Sequence, residues 1–167
     1  DASNLERNLY LTTQLMETGI PVIIALNMMD VVKKRGDLIN LQKLSLSLGC
    51  PVIETSAVKG SGAMEAARLA VKQAASVPPK PLEFNKSVEN ALTNIKALIS
   101  NYNLSDILER YYTIKLFERD KKIQKQLSLP RALINAIEKN ICLCEAEFDD
   151  NSESIITNER YECVTEI

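Results

Sequence analysis

An α/β unit followed by an all-α unit is the fold class that the 167-residue sequence predicts. Two observations carry it. Up to about residue 78, short apolar runs alternate with stripes of helical spacing, the order that builds a parallel sheet flanked by helices. Beyond a proline-rich stretch the short runs stop, and only spacings of three and four recur.

The first helix is expected where Leu5, Leu9 and Met16, with Leu15 beside them, form a stripe that Gly19 terminates. "PVIIAL", Pro21 to Leu26, is a short continuous apolar run and reads as a buried strand. A second helix is predicted from Asn40, whose amide oxygen can accept from a free N–H of the first turn, through Leu41, Leu44 and Leu48 to Gly49. "CPVIET", Cys50 to Thr55, makes the second strand, and an alanine-rich helix follows.

"SVPPKPLEF", Ser76 to Phe84, holds three of the six prolines. Proline lacks the N–H that a helix interior needs, so residues 79–83 are expected to link one domain, 1–78, to another, 84–167. In the second domain Val88, Leu92, Ile95, Ile99 and Tyr102 form one apolar stripe, and Ile134, Ile137, Ile141, Cys144 and Phe148 form another. Between them "SDILERYYTIKLFERD" is expected to be helical with Ser105 as its cap, and "SESIITNERYECVTEI" is expected to start from a Ser152 cap.

Composition narrows the chemistry. A formal net charge of −2 with no Lys/Arg block lacks the electrostatic footprint of a nucleic-acid binder, so no nucleic-acid partner is expected. The absence of histidine removes the commonest general base and transition-metal ligand, so no catalytic triad is expected. No run approaches the roughly 20 apolar residues of a spanning helix. Cys50, Cys142, Cys144 and Cys163 are too scattered for a disulfide framework and fit a reducing cytoplasm. Cys142 and Cys144 are not expected to bind metal, because helix neighbours two apart do not face each other.

The first strand runs into "NMMD", Asn27 to Asp30. Ligands of open α/β sheets bind outside the carboxyl ends of the strands, where these residues fall. The Asp30 carboxylate offers two acceptors to the adjacent N1–H and N2–H2 donors of guanine, and the Asn27 amide can donate to N7. Met28 is suited to lie against the base through its polarisable thioether. Alone, an N-x-x-D is far more often an ordinary turn after a strand, with methionines in the core. A second signal at the end of the next strand, "IETSAVKGSG", changes the balance: the Ser56-Ala57 pair could point backbone N–H groups at the guanine O6, with the Ser56 hydroxyl bracing the loop, and Val58 is expected among the nucleotide-binding residues beside them.

"NMMD" resembles the Asn-Lys-x-Asp motif of translation-factor and Ras-type GTPases with Met28 in place of lysine, and "ETSA" resembles their base-binding loop. The longer run "DASNLERNLYLTTQLMETGIPVIIALNMMD" closely resembles the cytoplasmic G domain of FeoB-type ferrous iron transporters. "RYYTIKLFERD" and "NERYECV" resemble segments of the helical domain of the same family. Tyr111 stands where that family often has Trp, and Arg119 where it often has glycine; both are expected inside one helix.

The resemblance implies the C-terminal half of a Ras-like G domain followed by a helical domain, binding GTP/GDP through the guanine end. Neither G-x-x-x-x-G-K-[ST] nor D-x-x-G occurs in the sequence. In the related G domains both precede the matching stretch. The missing N-terminal half is therefore an expected partner, Mg2+ is expected in the complete parent, and these residues alone are expected not to hydrolyse GTP. The helical domain is expected to act like a GDP-dissociation inhibitor, with a membrane transport domain after Ile167 and the whole at the cytoplasmic face of the cell membrane. A homo-oligomer is a candidate assembly, since a two-stranded sheet leaves exposed edges. The alternative is a non-enzymatic helical interaction module that has lost nucleotide binding.

Overall fold

The computed structural model describes residues 1–75, 81–102 and 104–167. These separate into two compact units, Asp1–Leu82 with Val164–Ile167, and Glu83–Cys163. Part of the linker expected at 79–83, residues 79 and 80, lies outside the described residues, as do residues 76–78.

In the first unit, α1 (Leu5–Met16) buries Leu9, Thr13 and Met16. Strand β1 (Ile24–Leu26) pairs in parallel with β2 (Val52–Glu54), in the register Ile24 to Val52 and Leu26 to Glu54. Both strands are shorter than the apolar runs that contain them. A ladder needs a hydrogen-bonded neighbour, and the pairing reaches only one further bond at each end, Ile24 N–H to Pro51 C=O and Thr55 N–H to Leu26 C=O, both 2.9 Å. Between the strands lie α2 (Met29–Arg35) and α3 (Leu41–Leu48). The Asn40 side chain caps α3 by accepting from Lys43 N–H at 2.9 Å, as its position suggested. The short α2 was not expected from the sequence, since seven residues carry too little periodicity to announce a helix. It contributes Met29 and Val32 to the core around Leu9, Leu26 and Leu48. The alanine-rich helix is α4 (Ala63–Gln73).

The second unit holds α5 (Lys86–Ile99), α6 (Glu109–Phe117), α7 (Lys121–Gln126), α8 (Arg131–Phe148) and most of α9 (Ser152–Thr165). Val88, Leu92, Ile95 and Ile99 are buried together with Ile137, Ile141 and Cys144, so the two stripes read from the sequence meet in one core. Two expected caps move. Ser105 lies before a separate turn, its carbonyl accepting from Leu108 N–H, and α6 begins four residues later, at Glu109. At α9 the capping side chain is Asn151, which accepts from Ser154 N–H at 3.0 Å. The Ser152 hydroxyl instead accepts from Arg119 at 2.9 Å.

Arg119 lies past the end of α6 and not within a helix, with φ +58. That left-handed position follows a helix C-terminus, where glycine is favoured because it has no Cβ to strain. The Asp120 N–H then reaches back to Lys115 C=O, and the Asp120 carboxylate caps α7. Arg119 has compensation for the strain. Its guanidinium binds Glu145 at 2.5 Å and Glu138 at 2.6 Å, tying the α6–α7 turn to α8.

The hydrogen bonds from Arg119 hold the Glu138 and Glu145 carboxyls below their ordinary value of 4.5. Groups lowered on folding contribute stability that is complete above the unfolded value and is lost as pH falls through the folded one. Arg119→Gln keeps a comparable backbone cost at positive φ and removes the guanidinium. The stability advantage of the unaltered chain over this variant should therefore shrink as pH falls below about 4.5, read from the amide signals of the second unit. An advantage independent of pH would refute the assignment.

Candidate functional site

The two loops singled out in the sequence meet at the carboxyl ends of β1 and β2. Leu26 ends β1 in the core, and Met28 adopts φ +67 and ψ +24, a left-handed bend that turns the strand into α2. A non-glycine residue held there costs on the order of 1 kcal/mol, so its surroundings must enforce it. The Asn27 carboxamide does so locally, accepting from Met28 N–H at 2.8 Å. Met29 and Val32 then anchor α2 in the core, which leaves Asp30 half-buried beside the second loop.

The loops are joined by two hydrogen bonds. Asn27 Oδ1 also accepts from Ala57 N–H at 3.0 Å, and Ser56 Oγ donates to Asp30 Oδ1 at 3.1 Å. Ser56 is only 4% exposed, so its hydroxyl acts from inside the loop. Met28 is 40% exposed and Val58 90% exposed, and both flank this bonded set with accessible side chains. Of the six residues expected to bind nucleotide, Asn27, Asp30, Ser56 and Ala57 are bonded to one another.

Two further features were not anticipated. Lys33 in α2 pairs with Glu54 at the end of β2 at 2.5 Å, a third strap between the same elements, though an exposed pair adds little energy. The loop also closes on itself: Ser56 and Ser61 exchange two backbone hydrogen bonds of 3.1 Å. The glycines of "KGSG" were the available signal, since both Gly60 and Gly62 have positive φ.

Family models described as "Ferrous iron transport protein B" and "FeoB cytosolic helical domain" match residues 1–70 and 84–167. The chain belongs to the FeoB family. A crystal structure of an S. thermophilus NFeoB mutant bound to GDP superposes with a TM-score of 0.94 at 42% identity, over 99% of this chain and 64% of that one. The Fe(2+) transport protein A/Fe(2+) transporter FeoB fusion protein of Porphyromonas gingivalis is 34% identical over 175 residues, covering 96% of this chain and 20% of that protein. The Fe(2+) transporter FeoB of Escherichia coli is 56% identical over 71 residues, covering 42% of this chain and 9% of that protein. This FeoB chain thus spans at most about a fifth of the length of these two transporters. Its architecture is part of a Ras-like G domain followed by the FeoB helical domain.

Proposed function

We propose that this chain recognises the guanine end of GTP and GDP, and that its helical unit regulates nucleotide release within the cytosolic portion of a ferrous iron transporter. The supporting observation is the pair of bonds from Ala57 to Asn27 and from Ser56 to Asp30, which bring both loops to one end of a parallel sheet. The donor set fits the base. Asp30 accepts from N1–H and N2–H2, and the Asn27 amide donates to N7. The N–H groups of Ser56 and Ala57, expected from the sequence to serve O6, are instead taken by Ser61 C=O at 3.1 Å and Asn27 Oδ1 at 3.0 Å, which leaves the Val58 N–H for O6. The thioether of Met28 covers a face of the ring.

The phosphates require groups that this sequence lacks. Among the described residues no three or more acidic or thiol side chains are grouped to hold a metal ion. The N-terminal half of a G domain, with Mg2+, is the partner proposed to complete the nucleotide site, and the isolated 167 residues are proposed not to hydrolyse GTP. Among the described residues no helix is long and apolar enough to cross a membrane. A transport domain after Ile167, at the cytoplasmic face of the cell membrane, is the second proposed partner, and a homo-oligomer the third.

Titrating the isotope-labelled chain with GDP and with ADP tests the central claim. GDP, and not ADP, should move the amide signals of Met28, Asp30, Ser56 and Ala57. Equal responses, or none, would leave a helical interaction module without guanine recognition. Phosphate release from GTP by the pure chain would refute its catalytic silence.

A further inference from the structure

Two glycines stand in the loop between Ser56 and α4, and their surroundings differ. Gly60 has φ +64, and a Cβ built there would meet nothing within 4 Å. Gly62 has φ +81, and a Cβ there would lie 2.3 Å from the Glu54 carbonyl oxygen, 2.9 Å from Thr55 Cγ2 and 3.0 Å from Thr55 Cα. No real Cβ contact is as short as the first, and two of the three atoms are backbone, which cannot swing aside as a side-chain tip can.

The residues that Gly62 touches immediately precede the base-reading pair. Glu54 ends β2, and Thr55 continues the ladder through its N–H to Leu26 C=O at 2.9 Å. Ser56 and Ala57 come next, bonded to Asp30 and Asn27. On its other side Gly62 caps α4, its carbonyl accepting from Ala66 N–H at 2.9 Å. The close approach of Gly62 to Glu54 therefore seats α4 against the strand end, and Ser61, paired with Ser56, carries that placement into the loop.

We infer that Gly62 is a positioning residue of the guanine site: its missing side chain lets the start of α4 press on the end of β2, and that contact sets where Ser56 and Ala57 stand. The inference rests on the guanine reading above. Any larger residue must push the loop outward from Glu54, and a donor displaced from its partner loses most of a hydrogen bond's strength.

Gly62→Ala and Gly60→Ala, each in the full chain, separate this role from backbone strain, because both place alanine at positive φ and only the first meets a wall. Gly62→Ala should keep the amide signals of α1 and α3, move those of Ser56 and Ala57, and weaken GDP binding by about tenfold or more. Gly60→Ala should leave those two signals in place and change affinity by no more than about twofold. Unmoved Ser56 and Ala57 signals in Gly62→Ala, or equal effects of the two variants, would overturn the inference. Loss of the α1 and α3 signals in Gly62→Ala would also overturn it, by making Gly62 a general folding residue. The guanine reading fails separately, on the absence of GDP preference in the unaltered chain, while the Ser56 and Ala57 signals judge Gly62 in either case.

Discussion

Asp30→Asn is expected to turn a preference for guanine into a preference for xanthine. A carboxylate at this position accepts from both N1–H and N2–H2, whereas an amide can accept from N1–H and donate to the C2 carbonyl that xanthine carries instead. Each mismatched combination leaves a polar group of a half-buried site unpaired. Sites that read a ligand through such bonds discriminate strongly, so the ratio of GDP to XDP affinity should move by about 10³-fold or more. The substitution is nearly isosteric, and the introduced amide retains an oxygen to accept the Ser56 hydroxyl, so the fold should persist. Paired titrations of GDP and XDP on the unaltered chain and the variant supply the measurement, and an unchanged ratio would remove Asp30 from base recognition.

Glu118→Ala carries the largest expected loss of stability. Arg160 is 1% exposed, and its Nη1 lies 2.8 Å from Glu118 Oε1, while Lys115 reaches the other oxygen at 2.6 Å. Taking the carboxylate away strips a nearly fully buried guanidinium of this anion, which costs about 3–5 kcal/mol in comparable pairs. Replacing both partners is much less harmful, because the nearly fully buried charge of Arg160 is then gone and the remaining cation, Lys115, is partly exposed. Urea unfolding, followed through amide signals of the second unit, should show Glu118→Ala far below the unaltered chain and the double variant Glu118→Leu with Arg160→Met recovering most of the difference. Equal losses in the single and double variants would mean that packing, and not charge, dominates there. The same single variant tests regulation: if the helical unit slows nucleotide release, loosening it should quicken GDP dissociation, and an unaltered rate would make it a spacer.

The stripes of α5 and α8 were legible because burial repeats with the pitch of the helix, so residues three and four apart announce their common face. The residue types of the candidate site were legible for a similar reason: a carboxylate, an amide and a Ser-Ala pair each have a limited range of chemistry at strand ends. Their bonds were not. Asn27 and Ala57 are 30 positions apart, and Ser56 and Asp30 are 26 apart, so the contacts exist only once β1 and β2 have paired in register. The transfer of capping from Ser152 to Asn151 has the same origin, since the Ser152 hydroxyl is claimed by Arg119, 33 positions away.

Composition and periodicity were sufficient for the two-part architecture and the helical stripes, and two short motifs with their family resemblance for the candidate guanine-reading residues, all properties carried by neighbours along the chain. The left-handed bends at Met28 and Arg119, the buried partnership of Glu118 with Arg160, 42 positions apart, and the close seat of Gly62 on Glu54 emerged from folding alone. Each depends on atoms that distant segments bring together. Strain, desolvation and steric exclusion act between those atoms in space, and local sequence pattern does not record them.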